Sequence, residues 1–307
     1  MEFSVCSLCR DSKSKSNLFD SIVSFFPVKT EILLIDHSEK QISCYEAIRL
    51  FISQSRGDFI LFIHDDVSFD GLNCSDLINE LTRICMLDPK AALFGVAGIS
   101  LIDHSSIGHF RDAAGEHKWG FYEGGLASSL DECFLVLKRD TRLAVSNELS
   151  GYHFYGTDLC INAREKGFAS YVIDFPIIHK STGSINKNFF DARNQFQEHL
   201  QKKGIPRFVR TTCTVMYGGR NKIKQAWAVA MSLDLVEKAQ HKDLLVAKKC
   251  ILNTGHSRYG KSFFSIILCL HSCSNARLSF NKLFRRMRGD FAWWRKNWET
   301  RLPPCLK

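Results

Sequence analysis

The chain has 307 residues and a mass of 35.0 kDa, which is enough for one large domain or two of ordinary size. Apolar residues make up 45% and charged residues 24%, and 24 phenylalanines can fill a core, so the composition excludes a disordered chain. A mean hydropathy of −0.11, with no apolar run near the ~20 residues that span a bilayer, argues against a multi-span membrane protein. The N-terminus has no secretory pattern, which favours a cytoplasmic protein, with the inner face of a membrane as a second location.

Charge is distributed unevenly along the chain. Residues 1–200 carry 19 Lys and Arg against 27 Asp and Glu, a net charge of −8. Residues 201–307 carry 22 against 5, a net charge of +17. Such a break indicates two parts with different partners. The acidic part suits a cation or a sugar, and the basic part suits phospholipid or nucleic acid, unless it is an ordinary solvated helical face.

The twelve cysteines are too few for a disulfide scaffold, and we expect them to be reduced. Cys6 and Cys9 have the spacing of a zinc or redox motif. However, they lie in a strand-like apolar run, and no second pair of this spacing follows to complete four zinc ligands. The sequence therefore predicts buried core thiols.

Strand-like apolar runs alternate with helical patterns through the first half of the chain. Strands are predicted, in chain order, at 3–9, 31–36, 58–64, 92–101, 132–137 and 170–175, with a further apolar run at 176–179. Helical spacing occurs at 42–52, 72–86, 157–167, 189–203 and 222–252. Thr157 is the expected N-cap of its helix and Gly167 the residue that ends it. The glycine-rich segment 103–130 is predicted to be a long loop.

This alternation predicts an α/β fold, with a mixed and mostly parallel sheet flanked by helices. Ligands of such sheets bind beyond the carboxyl ends of the strands, and Asp36 and His64–Asp66 lie at such ends. His64, Asp65 and Asp66 form the strongest signal, because carboxylates and imidazole suit Mg²⁺ or Mn²⁺. The alternative is an ordinary loop that opens with aspartates.

Four more candidate residues lie at the ends of predicted elements: Asp131, Glu132, Asp158 and His179. Each also has an ordinary structural interpretation. The helix dipole favours Asp158 in a first turn whatever its role, His179 suits a satisfied core position, and Asp131 and Glu132 suit a solvated surface.

Five segments together resemble a known family of enzymes. They are EILLID, RGDFILFIHDDV, DECFLVLKRD (131–140), YGTDLCINAREKGF (155–168) and IIHKSTGS (177–184). They are similar to the nucleotide-sugar glycosyltransferases of GT-A fold, in particular family 2, with an H-x-D form of the D-x-D motif. The resemblance covers roughly residues 3–185. It implies a GT-A (Rossmann-like) glycosyltransferase domain at 1–205 and a basic, mainly helical extension at 206–307.

The resemblance also implies the reaction, which moves a sugar from a UDP or GDP donor to a glycan or lipid-linked hydroxyl, with inversion. Asp36, Asp65 and Asp66 would contact the nucleotide-sugar donor. Asp66 would also be a metal ligand, and together with His64 and His179 it would hold Mn²⁺ or Mg²⁺ at the diphosphate. Asp158 would be the general base, although Thr157 replaces the acidic neighbour common in the family. Asp131 and Glu132 would bind the acceptor.

The C-terminal segment interleaves tryptophans with basic residues, namely Trp293, Trp294 and Trp298 among Arg285, Arg286, Arg288, Arg295 and Lys296. This pattern suits an amphipathic helix in a membrane interface, and it also suits single-stranded nucleic acid or a basic bundle surface. A transferase with a lipid-linked acceptor favours peripheral membrane contact over nucleic acid.

Three other functions stay open at the level of sequence. A nucleotidyltransferase would normally have a Gly-rich loop after the first strand, and residues 9–16 contain no glycine. A catalytically inactive sugar-nucleotide-binding protein on the same fold would fail to turn over any donor. A nucleic-acid-binding protein that uses the basic tail would bind oligonucleotides with steep salt dependence.

Overall fold

The computed structural model describes residues 2–26, 29–112, 115–120, 125–181, 185–238 and 244–274. The tryptophan-rich segment of the tail lies outside these residues. The chain divides into two compact units, Met1–Gly183 with Arg210–Thr212, and Ser184–Val209 with Cys213–Lys307. This division falls before the predicted boundary at residue 205, because a helix that begins at Lys187 packs within the second unit.

The first unit contains a sheet of short strands and four helices. The strands are β1 (Phe3–Cys9), β2 (Glu31–Asp36), β3 (Phe59–Ile63), β4 (Val67–Ser68), β5 (Ala91–Gly95), β6 (Ala97–Ser100), β7 (Ser106–Asp112), β8 (Gly115–Trp119), β9 (Leu126–Leu130), β10 (Phe134–Lys138), β11 (Ala169–Val172) and β12 (Ile177–His179). The helices are α1 (Ser12–Phe25), α2 (Cys44–Gln54), α3 (Cys74–Leu87) and α4 (Tyr155–Glu165), and Arg139–Thr141 form a 3₁₀ turn.

The strands follow one another in the order β2-β1-β3-β10-β5-β11-β9-β6-β7-β12-β4, and β8 pairs with β7. The predicted α/β fold, a mixed sheet flanked by helices, is confirmed. Parallel pairs join β1 to β2 and β3, β5 to β11, and β7 to β12, while the other pairings among the described strands are antiparallel. The antiparallel share exceeds the expectation from sequence because hairpin connections replace helical crossovers in the middle of the chain.

Two predictions for the middle of the chain are wrong. The single strand predicted at 92–101 is two strands, β5 and β6, which pair with different neighbours. The loop predicted at 103–130 contains the β7–β8 hairpin and β9. Glycine and polar residues on these short strands hide the alternation that marks a half-buried strand, and the sequence pattern therefore looked like a loop.

The core of this unit lies against the central strands, whose side chains are buried along their whole length. All five residues of β3 and all five of β5 are buried. Cys6 and Cys9 are fully buried, and burial raises the pKa of the Cys6 thiol to about 12. The prediction of core thiols is therefore confirmed.

Helix α4 begins earlier than predicted. Its N-cap is Phe154, and Thr157 is buried inside the first turn. Gly167 has φ +81° just beyond the helix, as predicted for the residue that ends it.

The described residues after Gly183 form four helices and a two-stranded sheet: α5 (Lys187–Lys202), β13 (Phe208–Arg210), β14 (Val215–Tyr217), α6 (Lys222–Lys238), α7 (Leu244–Tyr259) and α8 (Lys261–Ser274). All of them belong to the second unit except Arg210, the last residue of β13. The helix predicted at 222–252 is divided between α6 and α7. Buried Arg193 of α5 donates from Nε to Thr214 Oγ1 at 3.0 Å, which ties α5 to the residue before β14. Among the described helices, none combines the length and apolar character needed to cross a membrane.

Candidate active site

The strand order brings His64, Asp66 and His179 together. His64 follows β3, and its N–H donates to the carbonyl of Cys133 at 3.0 Å. Only three residues separate β3 from β4, although the two strands lie far apart in the strand order. β4 pairs antiparallel with β12 and places His179 opposite Val67, next to Asp66. The His64–Asp66 segment thus crosses between two parts of the sheet and meets β12.

The three side chains could hold a metal ion. Each offers one ligand atom, and these atoms lie within 4.8 Å of one another. Asp66 Oδ1 and His179 Nε2 lie 3.3 Å apart, and both atoms are buried without a hydrogen-bond partner among the described residues. An unsatisfied buried polar atom is costly, and a cation bound by both atoms would remove that cost. We refer to His64, Asp66 and His179 as the HDH cluster.

The charges within the HDH cluster favour a cation. Burial would raise the pKa of Asp66, but the contact with His179 at 3.3 Å and the side chain of Ser181 lower it below its usual range. Burial lowers the pKa of His64, and the neighbouring His179 lowers it further, so His64 is held neutral. Burial would also lower the pKa of His179, but the carboxylate of Asp66 outweighs burial and raises it. One ionised carboxylate and one neutral imidazole are thus already in the state that binds a metal.

Asp65 is held by a residue from the neighbouring strand end. Its Oδ2 accepts from the Arg10 backbone N–H at 2.8 Å and from Arg10 Nε at 3.0 Å. The side chain of Arg10 is 69% exposed and that of Asp65 only 8%. Arg10 therefore supplies a positive charge at this edge of the site. The residues next to His64–Asp66 in the sequence include no Lys or Arg that could do so.

Asp36, at the end of β2, is buried and accepts three hydrogen bonds. Ser12 Oγ donates to Oδ2 at 2.6 Å, and the N–H and hydroxyl of Ser38 donate to Oδ1 at 2.9 and 2.6 Å. The hydroxyls of Ser12 and Ser38 lower the pKa of Asp36. A carboxylate has about four acceptor sites, so one site remains for a ligand hydroxyl.

Asp131 and Glu132 lie in the turn between β9 and β10. Asp131 Oδ1 accepts from the Cys133 N–H at 3.2 Å, and Oδ2 accepts from Thr212 Oγ1 at 3.0 Å. Burial raises the pKa of Glu132 to about 8, and the charge of Asp131 raises it too. Glu132 therefore changes protonation near neutral pH, which is the property that a general base requires.

The backbone around Glu132 is strained. Phe154, the residue before α4, has φ 72° and ψ 7°, in the left-handed region that bulky side chains rarely adopt. The N–H groups of Phe154 and Gly156 both bond Glu132 and partly offset the rise of its pKa. Strain of this kind persists where surrounding contacts hold it, and it often marks functional sites.

Asp158 is buried and hydrogen-bonded to a neighbouring loop, whereas a general base has to reach the acceptor hydroxyl. It is 1% exposed, and Ser146 donates to both of its oxygens, from the backbone N–H at 2.6 Å and from Oγ at 2.7 Å. These contacts join α4 to the preceding loop and give Asp158 a structural function. Its predicted catalytic role stays a prediction, and the geometry favours Glu132.

The Tyr155 hydroxyl contacts a ring nitrogen of His64. It lies 2.9 Å from His64 Nε2 and 3.3 Å from the Glu132 carbonyl oxygen. When the phenol proton goes to the carbonyl, His64 Nε2 supplies the proton between the two side chains. A neutral His64 then carries its lone pair on Nδ1, the nitrogen left for a metal.

Comparison with known proteins identifies a relative by sequence. The chain matches no protein-family model. It is 30% identical over 208 residues to the protein named ATP synthase subunits region ORF 6 of Fuscovulum blasticum, and the alignment covers 65% of this chain and 84% of that protein. This chain belongs to the ORF 6 family. The name of that relative states no activity.

Two solved structures of S. aureus TarS are similar to this chain at low identity. TarS 1–349 aligns with a TM-score of 0.47 and 12% identity, over 89% of this chain and 92% of that chain. The same protein in complex with UDP-GlcNAc aligns with a TM-score of 0.45 and 12% identity, over 78% and 73% of the two chains.

We expect Tyr155→Phe to weaken Mn²⁺ binding about 10–100-fold, because the variant removes the group that fixes the His64 ring. Titration calorimetry with Mn²⁺ measures the affinity, and long-range ¹H–¹⁵N spectra report which ring nitrogen carries the proton. Tyr45→Phe is the matched control, since the buried Tyr45 hydroxyl has no hydrogen-bond partner among the described residues. An unchanged tautomer and affinity in Tyr155→Phe would show that Tyr155 only fills space.

Sequence reasoning missed several residues of this site, namely Arg10, Ser12, Ser38, Tyr155 and Thr212. Tyr155 lies inside the segment that carries the family resemblance, so its position was a usable signal. Arg10 contacts Asp65 only because β1 and β3 are neighbours, and a single sequence does not contain that information.

Proposed function

We propose that this protein is a metal-dependent glycosyltransferase of GT-A type, which moves a sugar from a UDP- or GDP-sugar to a glycan or lipid-linked hydroxyl with inversion. The observation that carries the proposal is the HDH cluster, where Asp66 Oδ1 and His179 Nε2 are buried without hydrogen-bond partners in the described part of the chain. The family resemblance of the segments around these residues supports it.

The donor set favours Mn²⁺ over Mg²⁺, because two imidazoles and one carboxylate suit Mn²⁺ whereas Mg²⁺ prefers oxygen ligands. His64, Asp66 and His179 would hold the ion. When bound, the metal would supply Lewis-acid stabilisation of charge on the departing nucleoside diphosphate.

The nucleoside of the donor would lie toward Asp36. The free acceptor site of the Asp36 carboxylate would take a ribose or base donor, while Ser12 and Ser38 hold the carboxylate in place. The exposed guanidinium of Arg10, oriented by Asp65, lies at the adjacent strand end and would face the diphosphate.

The acceptor would lie toward Asp131 and Glu132. A sugar hydroxyl is a poor nucleophile, and a positioned base contributes typically ~10²–10⁴-fold. We assign this role to Glu132, whose pKa lies near 8 because of burial and the charge of Asp131. Asp131, held by Thr212, would orient the acceptor hydroxyl.

Differential scanning fluorimetry against nucleoside diphosphates tests the proposal. We expect UDP or GDP to raise the melting temperature with Mn²⁺ present and much less without it, whereas AMP and CMP should have little effect. Release of UDP or GDP from a panel of sugar nucleotides then tests turnover. Metal-dependent binding without turnover of any sugar would support a catalytically inactive binding protein. No binding of either diphosphate would overturn the proposal.

We also propose peripheral membrane contact through the tryptophan-rich end of the basic C-terminal part, residues 275–307, which lies outside the described residues. Arg and Lys near an anionic surface contribute roughly 1 kcal/mol each, and salt screens the contact. Full-length protein should co-sediment with vesicles that contain acidic lipid, and deletion from residue 275 should abolish this while UDP binding remains. Failure of the full-length protein to bind such vesicles at low salt would exclude membrane contact.

A further inference from the structure

The β7–β8 hairpin presents three aromatic side chains on one face. Its register pairs Phe110 with His117 and Gly108 with Trp119, and residues two apart on a strand share a face. The ring of Phe110 lies 5.2 Å from that of His117 and 5.5 Å from that of Trp119, which in turn are 5.8 Å apart. We call Phe110, His117 and Trp119 the aromatic face. Trp119 is 37% exposed and Phe110 and His117 are half-buried, so part of each ring is accessible to a ligand.

The aromatic face adjoins the HDH cluster. β12 runs parallel to β7 with Ile178 opposite Arg111, so the next pair in register is His179 and Asp112. Residues in register on neighbouring strands point to the same face of a sheet. Asp112 Oδ1 lies 2.8 Å from His117 Nε2 and therefore links the two groups. A continuous strip on one face runs from His179 through Asp112 to the aromatic rings.

The opposite face of the hairpin is fixed by charged contacts. His109 is buried, with Nε2 2.6 Å from Glu116 Oε1 and Nδ1 against Asp174. Lys118 donates to Asp174 at 2.7 Å, and the Arg111 guanidinium donates to two backbone carbonyls at 3.0 and 3.1 Å. These contacts hold the hairpin in place. A surface that is already ordered loses less conformational entropy when a ligand binds.

The sheet order separates this surface from the nucleotide end of the site. Asp36 ends β2, two strands from β3 on one side, and Asp112 ends β7, two strands from β4 on the other. The HDH cluster lies between β3 and β4. A sugar-nucleotide donor whose diphosphate bound at the HDH cluster would extend its nucleoside toward Asp36. The aromatic face, on the other side of the cluster, would then be available to a different ligand.

The chemistry of the strip fits a sugar ring. A pyranose has an apolar face of C–H groups and a rim of hydroxyls, and aromatic rings with a few adjacent polar groups bind such mixed surfaces. A carboxylate such as Asp112 can accept hydrogen bonds from sugar hydroxyls, and Asp112 contacts His117, whose ring lies beside that of Trp119. We propose that the aromatic face binds a pyranose ring of the acceptor glycan. This inference rests on the proposed glycosyltransferase function and places its acceptor.

Direct binding of simple sugars tests the subsite without turnover. The probes are methyl glycosides of glucose, galactose, N-acetylglucosamine and rhamnose, measured by saturation-transfer NMR on the full-length protein. We expect Trp119→Ala to weaken binding of the preferred glycoside about tenfold and Trp119→Phe to weaken it much less, because an aromatic ring remains. Met86→Ala, on α3, removes another exposed apolar side chain and serves as the control.

A second measurement separates this subsite from the donor site. Calorimetry with UDP and Mn²⁺ should give the same affinity for Trp119→Ala and the unchanged protein. Absence of glycoside binding to the unchanged protein, or equal binding to Trp119→Ala, would overturn the inference. If UDP fails to bind while glycosides still require Trp119, the proposed donor chemistry fails and the saccharide subsite stands. If Trp119→Ala loses UDP as well, the aromatic face belongs to the donor rather than to the acceptor.

Discussion

Asp66→Ala is expected to abolish the increase in UDP affinity that Mn²⁺ produces. Asp66 is the only carboxylate of the HDH cluster, and its lowered pKa keeps it ionised at neutral pH. Loss of an outer-shell partner typically costs ~10–100-fold in metal affinity, and loss of a ligand should cost more. Isothermal titration with UDP, with and without Mn²⁺, measures the effect.

Asp140→Ala is the matched control for this experiment. Asp140 lies in the 3₁₀ turn after β10, its side chain is 68% exposed, and it pairs only loosely with Lys138 at 3.3 Å. Circular dichroism and the melting temperature should match the unchanged protein for both variants. Mn²⁺-dependent UDP binding that survives in folded Asp66→Ala would remove Asp66 from the metal site.

Glu132→Gln is expected to lower kcat at least about 100-fold while UDP binding with Mn²⁺ is retained. The variant keeps the shape of the side chain and removes the proton acceptor, and a base acts on the acceptor rather than on the donor. Steady-state release of nucleoside diphosphate measures kcat. Glu148→Gln, which changes an exposed glutamate, is the control.

The pH profile provides an independent check on Glu132. Burial raises its pKa from 4.5 to about 8, so the ionised base becomes more abundant as pH rises toward 8. The rate should increase about tenfold per pH unit below that point and then level off. Glu132→Gln should lose this dependence. A rate that is flat between about pH 6 and 8 would exclude a base with this pKa.

The raised pKa of Glu132 also makes folding stability depend on pH. Stability should fall as pH rises, whereas the reaction rate should increase. A carboxyl group whose pKa is raised in the folded state stabilises the fold below its unfolded pKa, and this contribution is lost as pH rises through the folded pKa. For Glu132 the loss occurs between 4.5 and about 8. The melting temperature of Glu132→Gln relative to the unchanged protein should therefore be higher at about pH 8.5 than at about pH 5.

Asp158→Asn distinguishes the two candidate bases. An amide can accept from the Ser146 backbone N–H with its oxygen and turn its N–H₂ toward Ser146 Oγ, but neither hydrogen bond is then made to an ionised carboxylate, so we expect a loss of about 1 kcal/mol of stability. We expect kcat, measured on the folded fraction, to change less than about tenfold. A fall as large as that of Glu132→Gln would return the role of base to Asp158.

The sequence was most informative where buried strands end in polar residues. β1 and β2 have the predicted bounds, because each is a continuous apolar run, although β1 is almost entirely buried whereas β2, at the edge of the sheet, is half-buried. Asp36 ends β2 and His64–Asp66 follow β3. The pattern of strands alone therefore predicted that these residues lie at the carboxyl ends of strands, where ligands bind. His179 was predicted because an apolar run precedes it.

What the sequence could not provide is the set of contacts between distant segments. The Ser146 contacts that hold Asp158 and the raised pKa of Glu132 depend on burial and on neighbours far along the chain. The β7–β8 hairpin was mistaken for a loop because its outer strand is largely exposed and has no apolar alternation. The left-handed conformation of Phe154 contradicts its local preference, and tertiary contacts must impose it.

Anomalous diffraction at the manganese edge, from crystals soaked with Mn²⁺ and UDP, tests the central claim most directly. The proposed function predicts one strong peak within coordination distance of Asp66 Oδ1, His179 Nε2 and His64 Nδ1, with the UDP diphosphate against it and the nucleoside toward Asp36. UDP bound at full occupancy with no manganese peak at these three residues, or with the peak at another site, would contradict it.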